Sequence, residues 1–123
     1  MEDKKKFKIE FKKRCFNFSV SILRFSEKTR SKQINWPLLD QLVRSATSIG
    51  ANVVEGGNST SRKEFINYFQ IALKSSSESL YWLALMGEIN PDNKDTDGLI
   101  QECTELKKMI TTIILDTKNN SRF

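Results

Sequence analysis

A chain of 123 residues with 28% charged and 38% hydrophobic side chains and a net charge of +5 is a single domain, residues 1–123, with room for one buried core and no need of disulfide or metal staples. It contains no histidine, the commonest general base and metal ligand, and no apolar run approaches the roughly 20 residues of a membrane span. Cys15 and Cys103 fall on apolar stripes as reduced thiols, and the N-terminus offers no signal-peptide cleavage pattern, so a cytoplasmic location is expected.

The first helix is predicted over residues 5–27. At 100° per residue Phe7, Phe11, Cys15, Phe18, Ile22 and Phe25 gather on one side, and Ile9, Phe16, Val20 and Leu23 on nearly the opposite side. A surface helix of a monomeric bundle needs one such stripe, so the second implies either central burial, which is difficult in a four-helix protein of this size, or a subunit interface. Residues 1–32 hold eleven Lys or Arg against four acids, which places +7 there and −2 on the remainder. Lys4, Lys5, Lys6, Lys8, Lys12, Lys13, Arg14 and Arg24 are therefore the candidate contacts for a polyanion, nucleic acid above all.

Residues 29–35 have no period and read as a connection. Pro37 suits a first helical turn, where the N–H it lacks has no intrahelical partner, so a second helix is predicted over 37–56, closed at Gly56-Gly57 by a left-handed glycine. Its apolar stripe is Leu39, Leu42, Ala46, Ile49 and Val53, while Arg44, Ser48, Asn52 and Glu55 project from the other face. Arg44 and Glu55 lie eleven residues apart, roughly 16 Å along a straight helix, too far to pair with each other. Glu78 for Arg44, and Arg62, Lys63 or Lys74 for Glu55, on the third helix or across a subunit boundary, are the candidate partners.

Ser61-Arg62-Lys63-Glu64 is a capping box that opens a third helix over 61–89. Its inner stripe is Phe65, Phe69, Ala72, Ser76, Leu80 and Leu83; Tyr68, Tyr81 and Trp82 flank it, read as packed side chains that could stack on bases only if exposed. The serines at 75, 76, 77 and 79 keep the helix in phase and allow a neighbouring helix to come close. Asn90-Pro91 ends it. The stretch 92–98 is not a calcium loop, because Gly98 at the turn position puts Thr104 where a bidentate Glu belongs. Nor is 56–61 a phosphate loop, since it lacks the Gly-Lys-Ser/Thr ending and a preceding strand. A fourth helix over 96–117 carries Leu99, Cys103, Leu106, Ile110 and Ile113, with a frayed tail from Lys118. The expected architecture is all-α, an up-down-up-down antiparallel four-helix bundle. Nothing in the chain makes a catalytic, metal or cofactor site, so no enzyme, no cofactor and no small-molecule substrate are expected.

The run Arg44-Ser45-Ala46-Thr47-Ser48-Ile49-Gly50-Ala51-Asn52-Val53-Val54-Glu55-Gly56, with Ser61-Arg62-Lys63-Glu64-Phe65, Ile71-Ala72-Leu73-Lys74 and Glu78-Ser79-Leu80-Tyr81-Trp82-Leu83, resembles the four-helix-bundle proteins encoded in intervening sequences of bacterial 23S ribosomal RNA genes. The match covers about residues 41–86. The resemblance implies a ring-like homopentamer without enzymatic activity, and a superfamily that includes accessory proteins of diversity-generating retroelements, which bind nucleic acid and a reverse transcriptase. Carried over by position, Arg44, Ser48, Asn52 and Glu55 take the signature places of the second helix and Glu78 that of the third, as assembly residues. Ser75-Ser76-Ser77 departs from the more usual Gly-Ser or acidic-Ala pairing, which bears on helix spacing. The function expected from the N-terminal lysines and the helix-face basic residues is non-catalytic binding of nucleic acid, RNA in the first place, through phosphate contacts; the alternative is a protein-interaction scaffold such as the accessory subunit of a retroelement reverse transcriptase.

Overall fold

Four amphipathic segments become four helices in the computed structural model, which describes residues 2–30 and 36–119: α1 (Glu2–Arg30), α2 (Trp36–Gly57), α3 (Arg62–Ile89) and α4 (Asp95–Asn119). No strand occurs among the described residues. The expected connection at 31–35 and the tail at 120–123 lie outside them. Thr29, Arg30 and Lys118, read as connection and tail, are helical. α1 begins three residues earlier than the predicted start at residue 5, because Glu2 and Asp3 occupy its first turn and Lys28 and Arg30 its last, the arrangement that the helix dipole favours.

Each helix packs on two others: α1 on α2 and α4, and α3 on α2 and α4. Phe11 of α1 and Phe69 of α3 meet across the core at 6.3 Å between ring centres. The stripe of α2 is buried as expected, and so is that of α1 from Phe11 to Phe25, but Phe7 lies outside the core. On α3, Leu80 is only half-buried, and Ser75, Ser79 and Met86 are buried with the rest. On α4 the last buried isoleucine is Ile114 rather than Ile113. The strict heptad that selects Ile113 drifts against 3.6 residues per turn, and the residue that reaches the core after Ile110 is Ile114, four positions on.

The α2–α3 seam is the most extensive contact between two helices. Ser45 and Ser79 share a hydrogen bond of 2.8 Å between hydroxyls, and Ser75 donates to the Ser48 hydroxyl at 2.9 Å. Gly56 has a different role from the one expected. It does not adopt a left-handed backbone; it lies inside α2, and a Cβ there would stand 2.9 Å from the Phe69 ring. Close ring-to-backbone packing explains the glycine. The turn after α2 is closed by Ser59, whose amide and hydroxyl both donate to the Gly56 carbonyl. Ser61 caps α3, its oxygen accepting the Glu64 amide at 3.1 Å, which is one half of the capping box.

Candidate nucleic-acid interface

Every residue from Glu2 to Glu10 is exposed, so the first turns of α1 project past the end of the core. Lys4, Lys5, Lys6 and Lys8 stand on this projection, and Lys12 and Lys13 are exposed just beyond it. Arg14 is different. Its Nε and Nη2 donate to the two carboxylate oxygens of Glu102 at 3.0 and 2.7 Å, and Nη1 reaches the Met109 sulfur at 3.4 Å. That fork-to-fork hydrogen bonding, with the charges of Glu102 and Glu105, raises the Arg14 pKa despite partial burial. Arg14 thus ties α1 to α4, and a phosphate would have to compete with Glu102 for it. Arg24 is exposed but stands eleven residues from Lys13, roughly 16 Å along the helix, apart from the lysine group.

The apolar face between these charges is open. Ile9, Phe16 and Leu23 are 57%, 69% and 48% exposed, Val20 is half-buried, and Val54 of α2 is exposed beside them. Phe16 and Val54 border a groove of about 190 Å³ between α1 and α2, with Lys12, Ser19, Gly50 and Ala51. On α3, Tyr81 is 60% exposed and meets Trp82 edge-on. Its reading as a packed side chain fails because residue 81 points away from both neighbouring helices.

The signature positions separate into two groups. Ser48 and Asn52 face α3: the Asn52 amide donates to the Ser48 carbonyl at 2.8 Å and hydroxyl at 2.9 Å, and that hydroxyl also accepts from Ser75. Arg44 and Glu55 are exposed. The ion pairs of the described residues are Arg14–Glu102, Lys28–Asp95 and Arg30–Asp40, so none of the partners expected for Arg44 or Glu55 engages them within the chain. Glu78 accepts only a long 3.4 Å hydrogen bond from the Trp82 indole. The serines that complete the seam, Ser45, Ser75 and Ser79, had a visible sign in their spacing, since 45 and 48 face 79 and 75 when two helices run in opposite directions.

Both thiols are free and buried. Burial pushes both Cys15 and Cys103 up from the ordinary 9.0 to about 12, and the Cys103 thiol donates to the Ser76 carbonyl at 3.4 Å. In the unfolded chain the thiols ionise near 9, in the folded chain near 12. Their contribution to stability is therefore intact below about pH 9 and lost as pH rises toward 12. Iodoacetamide at pH 8 is expected to label neither thiol in the native protein and both in urea; rapid native labelling would show that the stripes open.

No group of three His, Cys, Asp or Glu that could hold a metal ion occurs among the described residues, and no helix there is long and apolar enough to cross a membrane. Residues 8–112 match the family described as 23S rRNA-intervening sequence protein. The chain belongs to this family. The match extends well beyond residues 41–86, into α1 and most of α4. A crystal structure of a protein with unknown function from the S23 ribosomal protein family of Bacteroides thetaiotaomicron VPI-5482 is similar in sequence and fold, with 32% identity and a TM-score of 0.80 over 85% of this chain and 97% of that one. Comparison with curated proteins gives no match.

Proposed function

We propose that this family member is a non-catalytic, homo-oligomeric protein that binds nucleic acid, RNA in the first place, through phosphate contacts. The observation that carries this reading is the first half of α1, where Lys4, Lys5, Lys6, Lys8, Lys12 and Lys13, none of them in the ion pairs of the described residues, stand on the same helix as an uncovered apolar stripe. Lysines without ion-pair partners release counterions when phosphates replace them. An apolar stripe of this size calls for a cover, and a second copy is the occupant at hand. The bundle is taken as up-down-up-down, since paired positions such as Ser45–Ser79 and Ser48–Ser75 run in opposite order along α2 and α3. A ring of five joins unlike faces, so Arg44, Glu55 and Glu78 would meet charges of a neighbouring copy and set its register. Copies arrayed in a ring multiply a weak site by avidity. The protein would act in the cytoplasm without cofactor or small-molecule substrate.

Native mass spectrometry and fluorescence anisotropy test the two halves together. A mass that is a multiple of 14.2 kDa, with RNA affinity falling steeply between low and moderate salt, is expected. RNA binding indifferent to salt would sink the phosphate reading. A second reading, an accessory subunit for a retroelement reverse transcriptase, draws on the exposed Ile71, Tyr81 and Ile89 of α3, which suit a protein partner. Co-purification with a reverse transcriptase through α3, lost in a Tyr81→Ser variant, would favour it.

A further inference from the structure

The basic character of the chain is sorted along the bundle axis, and α1 supplies only part of it. On α3 and α4, Ser76 meets Cys103 and Gly87 meets Thr96, so the two helices run in opposite directions. That register sets Arg62 level with Lys118 and Lys74 level with Lys107. On its other side α4 meets α1, where Arg14 reaches Glu102 and Lys28 reaches Asp95. The start of α1, the α2–α3 turn and the end of α4 therefore gather at one end of the molecule. Residues 2–15, 48–75 and 104–119 carry thirteen Lys or Arg against seven Asp or Glu, a charge of +6. The other described residues carry five against eight, or −3. With a Debye length of about 8 Å at physiological salt, an anion senses this local excess rather than the net charge.

Within that end, α4 sorts its charges by side. Glu102 and Glu105 act on Arg14 of α1. Lys107 and Lys108 lie instead along a shallow depression with Thr104, Thr111 and Thr112. The three threonine hydroxyls donate to backbone carbonyls one turn back, which leaves the lysines as the free donors. None of the ion pairs of the described residues uses Arg62, Lys63, Lys74, Lys107, Lys108 or Lys118. The placement of the apolar surface matters equally. Lys12 shares its groove with Phe16 and Val54, so a subunit that covers the α1 stripe takes flanking lysines out of reach. The cations of α3 and α4 stand clear of that stripe.

We propose that the cationic face of α3 and α4 at this end of the bundle is the principal phosphate-binding surface for a nucleic-acid strand, with the α1 lysines adding to it. The proposal rests on the nucleic-acid reading above and names where the ligand lies. Contact there is with the backbone, without base readout, because no exposed aromatic ring stands among the six cations.

The test compares two neutralised variants, R62Q/K108Q/K118Q and K5Q/K6Q/K8Q, all at exposed positions, by anisotropy with a single-stranded RNA of about twenty nucleotides across a salt series. The α3–α4 variant is expected to bind at least about tenfold more weakly at moderate salt, and its salt slope to fall by about 2, since each single-strand phosphate contact contributes about 0.7. The α1 variant is expected to lose less. The charge-keeping R62K/K108R/K118R should bind as the unmodified chain does, and unchanged far-UV dichroism and native mass show that the fold and assembly are kept. A loss in the α3–α4 variant no larger than that in the α1 variant overturns the assignment and leaves nucleic-acid binding standing. Absence of salt-sensitive binding in the unmodified protein overturns both.

Discussion

Phe18→Ala is expected to destabilise the protein by about 4 kcal/mol, the middle of the range for removing a buried phenylalanine. Phe18 is 2% exposed, one of the largest side chains of the core, on the middle turn of α1. Its neighbours along the stripe, Cys15 and Ile22, are equally enclosed. The helices that meet there are regular for several turns on either side, so the walls cannot collapse into the space without shifting whole helices. For a chain of this length the loss corresponds to a fall in melting temperature of about 15 °C. The measurement must hold protein concentration fixed, because the proposed assembly would add a concentration-dependent term to apparent stability. A fall of under about 3 °C would mean that the α1–core contact is not packed as described.

The core that Phe18 anchors was legible because burial imposes a period. Leu39, Leu42, Ala46, Ile49 and Val53 recur at three and four, and all are buried. Where two positions compete for the inward direction, as Ile113 and Ile114 do, period alone does not decide; the packing of α4 on its neighbours selects the second. Gly56 shows another limit. A glycine at a helix end fits both a left-handed closure and a close packing contact, and only the position of the Phe69 ring separates them. Charge was legible by segment and not by place. Counting along the chain assigns the basic excess to residues 1–32, whereas folding brings Arg62, Lys107 and Lys118 to the same end as Lys4 and withdraws Arg14 into a pair with Glu102. Glu102 lies 88 residues from Arg14 in sequence, and no local pattern links them. The second stripe of α1 was readable from its angular spacing. That it stays open in the isolated chain follows from the packing of α1 on α2 and α4 alone.

Phe16→Asp is expected to reduce the assembly to single chains of 14.2 kDa while the bundle itself stays folded. Among the described residues Phe16 is the most exposed of the large apolar side chains, at 69%, and contributes nothing to the core, so far-UV dichroism should be unchanged. Burying its ring at an interface is worth about 2–3 kcal/mol, and an aspartate in its place, even with Lys12 and Lys13 one turn back to offset its charge, would have to be withdrawn from water, a penalty of about 1–4 kcal/mol more. At 1.4 kcal/mol per tenfold, each contact weakens by roughly a thousandfold or more. In a closed ring every subunit boundary carries the same change, so no intact boundary remains to hold a partial assembly. RNA affinity should fall with the mass, because avidity is lost, although the cations of α3 and α4 are untouched. If the variant keeps the mass of the unmodified protein, the stripe of Ile9, Phe16 and Leu23 is not a subunit boundary, and the flanking lysines of α1 are then free to bind phosphate alongside those of α3 and α4.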